Sequence, residues 1–317
     1  MNHFIITGFA GFIGSHTTEL LLSKGHKITG IDNFDPFYSR EIKEKNISSF
    51  VNHKNFSLLE LDITDKSIYK HFPQGIDCII HLAAKAGVRP SIEDPRSYVK
   101  TNITGTQNIL EWASENNVKK MIFASSSSVY GNNEKLPFSE DDDVNNPISP
   151  YAFTKRSCEL LNYLWHKLHG IDIINLRFFT VYGPKQRPDL AIRKFAELIK
   201  VGKPIQIFGD GKSARDYTYI DDILQGILAS IEYIRMNNGV FEIINLGNSN
   251  PVQLQELIDL IYKLSGKPKN VVQSEMQPGD VDYTCADIRK AQRLLNFEPK
   301  TNFQEGLGKF LQWLDKN

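Results

Sequence analysis

Two stretches of this sequence carry a phenol and an amine at a spacing suited to base chemistry: Tyr151 with Lys155, and Tyr163 with Lys167. Residues four apart share one face of a helix. An ammonium beside a phenol stabilises the phenolate, which can then draw a proton from a hydroxyl. The chain has twelve tyrosines, so one accidental match is unsurprising and spacing alone does not choose between the pairs. Upstream, Ser125-Ser126-Ser127-Ser128 closes the apolar run Met121 to Ala124 and offers four hydroxyls without a charge. Near the start, Thr7 is followed by Gly8, Gly11 and Gly14 in a GxxGxxG pattern. Between a strand and a helix, such glycines allow a tight turn, close approach of backbone to a pyrophosphate and close helix packing, while the helix N-terminus supplies N–H donors. Asp32 comes 18 residues after Gly14, where a carboxylate accepts both hydroxyls of an adenosine ribose. Asn33 and Phe34 follow with no adjacent Arg or Lys to hold a 2′-phosphate, which favours NAD over NADP, although Arg40 is near enough in sequence to keep the question open. Asp62, ending a third apolar run, is a second candidate, at the adenine edge.

These groups need a scaffold that brings them to one edge. Strand patterns occupy residues 3–7, 27–31, 56–61, 77–83, 119–125 and 171–178, and helical patterns fill the gaps, notably 15–23, 98–116 and 151–168. That alternation predicts an α/β fold: a Rossmann-type, doubly wound parallel sheet covered by helices on both faces. From about residue 180 the rhythm loosens, with Gly-Pro and Gly-Asp-Gly breaks, and 241–246 is again strand-like. The expected organisation is a cofactor domain over 1–179 and 216–250, interleaved with a smaller α/β substrate domain over 180–215 and 251–317. Ligands of open parallel sheets bind outside the carboxyl ends of the strands. Tyr151 starts its helix there, after Pro150, whereas Tyr163 lies roughly 18 Å further along the axis and about 120° around it. Tyr151 with Lys155 is therefore the reactive pair, and Tyr163 is expected to pack against a neighbouring helix or subunit.

Lys plus Arg and Asp plus Glu are equal at 37 each, so no general field draws a polyanion, and nucleic acid is a poor expected partner. No apolar run approaches the roughly 20 residues of a membrane span. The first six residues lack the basic start of a secretory signal, and the three cysteines (Cys78, Cys158, Cys285) are odd in number and widely spaced; reduced thiols and a cytoplasmic address are expected. His166 and His169 form no ligand-like pair, and no metal is expected.

Taken together, TGFAGFIG, Asp32, HLAA at 81–84, SSSSVYG and Tyr151-x-x-x-Lys155 resemble the extended short-chain dehydrogenase/reductase family, the nucleotide-sugar epimerases and dehydratases. RFFTVYGP (177–184), GDGKSARDYTYIDD (209–222) and PGDVDYTCADIRKA (278–291) look like that family's substrate-domain signatures. The resemblance implies tightly held NAD, with Gly8, Gly11, Phe12, Ile13 and Gly14 at its pyrophosphate. It places Asp32, Asn33, Asp62 and Ile63 at the adenosine end, and Leu82, Ala83, Ala84, Asn102, Tyr151, Lys155 and Phe178 along the rest. It also implies that Ser126, three residues before Val129, hydrogen-bonds the reacting sugar oxygen, that Ser125 is structural, and that Ser127 and Ser128 face the sugar.

Related dehydratases carry Asp and Glu after the catalytic hydroxyl, and decarboxylases carry Glu before Val-Tyr-Gly. Serines at 127 and 128 supply neither, which leaves epimerisation: Tyr151 takes the 4-OH proton, hydride passes from C4 to NAD, the 4-keto sugar turns over, and hydride returns to the other face. Segments 32–47, 86–95, 179–191 and 276–281 are most similar to UDP-glucuronate 4-epimerases, for which Ser127, Ser128 and Thr180 would hold the carboxylate by neutral donors, with Arg187 or Arg89 nearby. A surface ion pair is the competing role for both arginines. Arg215 and Asp280 look like contacts to the nucleotide, while Gln277 stands where UDP-galactose 4-epimerases commonly have Arg. UDP-glucose or a UDP-N-acetylhexosamine is the alternative substrate, and a non-catalytic NAD-binding scaffold the alternative of another class. The family also implies a homodimer through a four-helix bundle of 98–116 and 151–168, for which Trp112, Leu160, Leu161 and Leu164 are candidates, although the same pattern would serve an intramolecular core.

Overall fold

The computed structural model describes residues 1–209, 211–274 and 283–317. Seven strands form the main sheet: β1 (His3–Thr7), β2 (Lys27–Asp32), β3 (Phe56–Glu60), β4 (Cys78–His81), β5 (Lys120–Ser126), β6 (Asp172–Phe178) and β7 (Phe241–Leu246). Every pairing is parallel, and the spatial order is β7-β6-β5-β4-β1-β2-β3. The order reverses between β1 and β4, which opens a crevice above their carboxyl ends.

Alternation within strands explains the continuous apolar runs. Phe4, Ile6, Ile28, Ile80, Ile122, Ile174 and Ile244 face one buried layer, while Ile5, Ile31, Ile79, Met121, Phe123 and Ile173 face another on the opposite side. Both faces are covered, so strict hydrophobic–polar alternation gives way to uninterrupted β-branched sequence.

After Phe178 the chain leaves the sheet and builds three two-stranded ribbons: Thr180–Tyr182 beside Tyr217–Tyr219, Ala214–Arg215 beside Val252–Gln253, and Ile205–Phe208 beside Val271–Ser274. It returns to the sheet through the helix Ile220–Met236 and β7, then ends in the helices Leu254–Ser265, Arg289–Leu295 and Phe303–Lys316. Asp216 pins this crossing: its buried carboxylate accepts N–H donors from Asn248 (2.7 Å), Ser249 (2.9 Å) and Ala286 (2.9 Å).

The helix carrying Tyr151 spans Pro150–His169, with Pro150 in its first turn, the Ser149 hydroxyl accepting from the Ala152 N–H and left-handed Gly170 after its end. The helix expected over 98–116 is present and widens within its first turns. A short helix, Pro95–Tyr98, passes through a π turn, Val99–Thr104, into the helix Gly105–Glu115. The Asn102 side chain grips both backbone groups of Lys85, at 2.8 and 2.9 Å, within that wider turn.

Candidate active site

A cavity of about 510 Å³ lies above the carboxyl ends of β1, β2, β4, β5 and β6. Its floor is the turn after β1. Gly8 has φ +71°, and a Cβ on Gly14 would meet the Gly8 carbonyl oxygen at 2.1 Å, so the helix Phe12–Ser23 abuts the strand too closely for any side chain. This leaves the helix N-terminus open to the cavity, with Gly11, Phe12 and Ile13 lining it. The backbone and its donors fit a pyrophosphate.

At the end of β2, Asp32 is almost fully buried. Its Oδ1 accepts the Phe34 N–H (2.8 Å) and its Oδ2 the Ala10 N–H (3.3 Å). Asn33, Asp62 and Ile63 line the same end, and the Asn33 amide donates to Asp62 at 3.2 Å. Burial works to raise the Asp62 carboxyl, but the Thr64 N–H and hydroxyl and the Asn33 amide together hold it below its ordinary value. Arg40, the cation left open in the sequence, turns outward to Glu60 (2.7 Å) and Glu44 (2.8 Å). Lys43 takes the inner place instead, its Nζ 3.3 Å from Asp32 Oδ1. Sequence reasoning missed it; the available signal was a lysine one helical turn beyond Ser39, on a helix that must fold back over β2.

Leu82, Ala83 and Ala84 form the wall after β4, below which His81 bridges Thr7 (2.6 Å) and Thr106 (2.9 Å). Burial, with Lys155 adding to it, pushes this imidazole down to about 3, so it is neutral and structural.

The candidate reactive groups converge over β5. Lys155 donates to the Ala124 carbonyl at 2.7 Å, and its Nζ lies 5.9 Å from the Tyr151 ring centroid. The Tyr151 N–H donates to Ser91 Oγ (3.1 Å), and the ring meets Tyr98 edge-on at 6.3 Å. Facing them is the single turn Ser127–Tyr130, where Ser126 Oγ accepts the Ser128 N–H at 3.2 Å. Ser128 Oγ is buried without a protein partner. Ser126, Ser127, Ser128, Tyr151, Lys155, Phe178, Thr180, Arg187 and Arg215 all line the cavity. Arg187 also holds Asp189 through two bonds of 2.9 and 2.6 Å, so the wall position and the ion pair coexist.

Two residues expected at the site lie elsewhere. Arg89, exposed on the short helix Val88–Glu93, is not part of the wall. Asn102 is buried behind it as the brace of Lys85 and of the Thr154 hydroxyl (2.9 Å). Asp280, with Gln277, falls outside the described residues. Tyr163 is half exposed, its ring edge on Phe241 at 5.2 Å and Lys167 Nζ 5.4 Å from its centroid, away from the cavity wall.

Residues 5–310 match the model of the GDP-mannose 4,6 dehydratase family. The chain belongs to this family. It is 43% identical to the UDP-glucuronate 4-epimerase of Thermodesulfobacterium geofontis, over 100% of this chain and 97% of that one. Among solved structures it superposes on UDP-glucuronic acid 4-epimerase from Bacillus cereus, in complex with UDP-glucuronic acid and NAD, with a TM-score of 0.94 and 38% identity over 99% of each chain. It also superposes on the UDP-N-acetylglucosamine 4-epimerase from Methanobrevibacter ruminantium M1, at a TM-score of 0.90 and 32% identity, over 99% of this chain and 98% of that one.

Proposed function

We propose that the chain is an NAD-dependent isomerase that inverts C4 of UDP-glucuronate to give UDP-galacturonate. The observation that carries this reading is the pairing, across one cavity, of Tyr151 and Lys155 with a turn of hydroxyls that holds no carboxylate. Family members that eliminate water need an acid and a base beside the catalytic hydroxyl, and Ser127 and Ser128 provide neither.

NAD supplies a reversible hydride acceptor when bound. The residues that would hold it are Gly8, Gly11, Phe12, Ile13 and Gly14 at the pyrophosphate, Asp32, Asn33, Asp62 and Ile63 at the adenosine, and Leu82, Ala83, Ala84 and Phe178 beyond. Tyr151 is the base that takes the 4-OH proton and later returns it, with Lys155 orienting the phenol. Ser126 donates to the same sugar oxygen, and Lys155 itself is held by the Ala124 carbonyl. Ser127, Ser128 and Thr180 hold the uronate carboxylate by neutral donors; the unpartnered Ser128 Oγ supports this role. Neutral donors also suit the chemistry, since a 4-keto uronate is a β-keto acid that loses carbon dioxide if its C5 bond aligns with the ketone. Arg187 lines the cavity near the carboxylate, Arg215 lines it at the nucleotide end of the substrate, and Asp280 is assigned to the nucleotide from its motif. The cofactor region is 1–179 with 216–250, and the sugar-nucleotide region 180–215 with 251–317.

Turnover of UDP-glucuronate, UDP-glucose and UDP-N-acetylglucosamine, compared as kcat/KM, tests the substrate. The uronate is expected to be the best of the three, and a result in which it is the poorest overturns the assignment. The N-acetylhexosamine reading is favoured by one feature: Asp189 already compensates the Arg187 charge, leaving no free cation for a carboxylate at that point.

We further assign a homodimer. Leu160 and Leu164 are half exposed on the helix Pro150–His169, alongside Phe153, Tyr163 and Leu168. Trp112 and Leu161, expected on the same face, belong to the interior instead: Trp112 packs on Phe72 at 5.1 Å, and Leu161 against the layer below the sheet. The three cysteines are unpaired thiols, in keeping with a reducing, cytoplasmic setting.

A further inference from the structure

We propose that Glu159 and Ser125 are positioning residues that hold the serine turn in register with Tyr151 and Lys155. This rests on the epimerase reading and goes beyond it. Glu159 lies four residues after Lys155, on the same face of the helix Pro150–His169, with its carboxylate wholly enclosed. Its Oε1 accepts the Ser125 hydroxyl at 2.6 Å and Arg177 Nε at 2.8 Å; its Oε2 accepts Arg177 Nη2 at 2.9 Å and Arg156 Nη1 at 3.2 Å. The bidentate pair satisfies a charge that would otherwise be ruinous to bury.

The placement of this pair gives it a role in the reaction. Ser125 and Arg177 are register partners on β5 and β6, and Ser126, which faces the sugar, is the next residue. Lys155 already ties the helix to β5 at Ala124, so Glu159 adds a second tie one residue along, at Ser125. Beyond the turn, Arg177 Nη1 donates to the Tyr130 hydroxyl at 3.0 Å, which donates in turn to Asn245 on β7 at 2.7 Å. The segment from Ser126 to Val129 is thus gripped at both ends by one buried network whose other anchor is the helix of the base. Two ties spaced four residues apart on the helix prevent it from sliding or rolling on β5. Such movement would change the distance between the phenol oxygen and the Ser126 hydroxyl, which must meet at one sugar oxygen.

Replacing Glu159 would leave Arg177 buried without its counter-charge, so Ser125→Ala is the deciding variant: it removes the tie to β5 and keeps the ion pair. In the full-length, NAD-loaded protein, kcat on UDP-glucuronate is expected to fall about tenfold or more while KM stays within about twofold, and Ser125→Thr, which keeps the hydroxyl, is expected to recover most of kcat. Hydrogen exchange of segment 124–130, read without substrate, is expected to rise in Ser125→Ala and to return in Ser125→Thr. Unchanged exchange or unchanged kcat in Ser125→Ala overturns the proposal, as does a loss that Ser125→Thr does not recover. If the wild-type protein turns over no UDP-sugar, the epimerase reading fails, and the exchange result still decides whether these residues hold the turn.

Discussion

Lys43 Nζ stands 3.3 Å from the Asp32 carboxylate inside the cavity wall, with both side chains about 7% exposed. A buried lysine needs such a partner, and here the partner is also the residue proposed to read the ribose. Removing the acid alone would leave a cation where a 2′-phosphate would sit. Asp32→Ser is therefore expected to raise the ratio of NADP to NAD affinity at least about tenfold, or ~1.4 kcal/mol, with weaker NAD binding. Titration of both cofactors into the stripped protein checks this, and an unchanged ratio would show that Lys43 does not reach the ribose.

The two Tyr-x-x-x-Lys pairs should separate cleanly. Tyr151→Phe is expected to lower kcat by about 10²–10⁴ with NAD still bound, while Tyr163→Phe stays within about twofold of wild type. Steady-state kinetics, combined with quantifying the nucleotide released on heating, distinguishes this outcome from a non-catalytic scaffold, for which neither variant matters.

Ser128→Glu places a carboxylate where the family's eliminating members have one. Epimerase kcat is expected to fall at least about tenfold, and KM to rise more for UDP-glucuronate than for UDP-glucose, because like charges would meet. Kinetics identical to wild type would mean that Ser128 does not face the sugar.

Acid should weaken the fold in a defined window. Burial pushes the His16 imidazole, whose Nε2 bonds the Pro184 carbonyl at 2.8 Å, down to about 4, and the His81 imidazole down to about 3. Both folded values lie below the ordinary 6.5, so the unfolded chain binds more protons and stability falls as pH drops from about 6.5 to about 4. Each histidine accounts for up to about 3 kcal/mol across that window. His16→Gln is expected to flatten the slope of unfolding free energy between about pH 6 and about pH 5 by close to one proton, as read by denaturant titration; parallel curves would contradict it.

The exposed stripe on the helix Pro150–His169 makes Leu164→Arg a test of assembly. Light scattering is expected to give twice the chain mass for wild type and a single chain mass for the variant. A wild-type monomer would rule the dimer out.

What the sequence disclosed and what it hid divide along a physical line. The glycine turn, Asp32 and the start of the Tyr151 helix were legible because each is a local pattern: a turn chemistry, a strand end and a cap. The sequence left Trp112 between two places because an apolar residue on an amphipathic helix has the same signature whether it faces Phe72 within the chain or a second chain outside it. Lys43 was hidden because only the folding back of the helix Arg40–Ile47 brings it to Asp32, and the bracing role of Asn102, expected instead at the cofactor, because its partner Lys85 lies across a loop. Glu159 carried no signal, since a single acid on a helix reads as solvated until Arg177 is seen opposite.

The return of the chain to complete its sheet has a consequence during synthesis. When about 180 residues have left the ribosome, β6 can pair with β5 on one side only, and its other edge stays open until β7 emerges more than sixty residues later. Such an edge invites pairing with another nascent chain. β6 carries Asp172, Asn175 and Arg177 among its apolar residues, all buried once the sheet is complete. Charged and polar side chains at these positions disfavour such mispairing before the sheet closes.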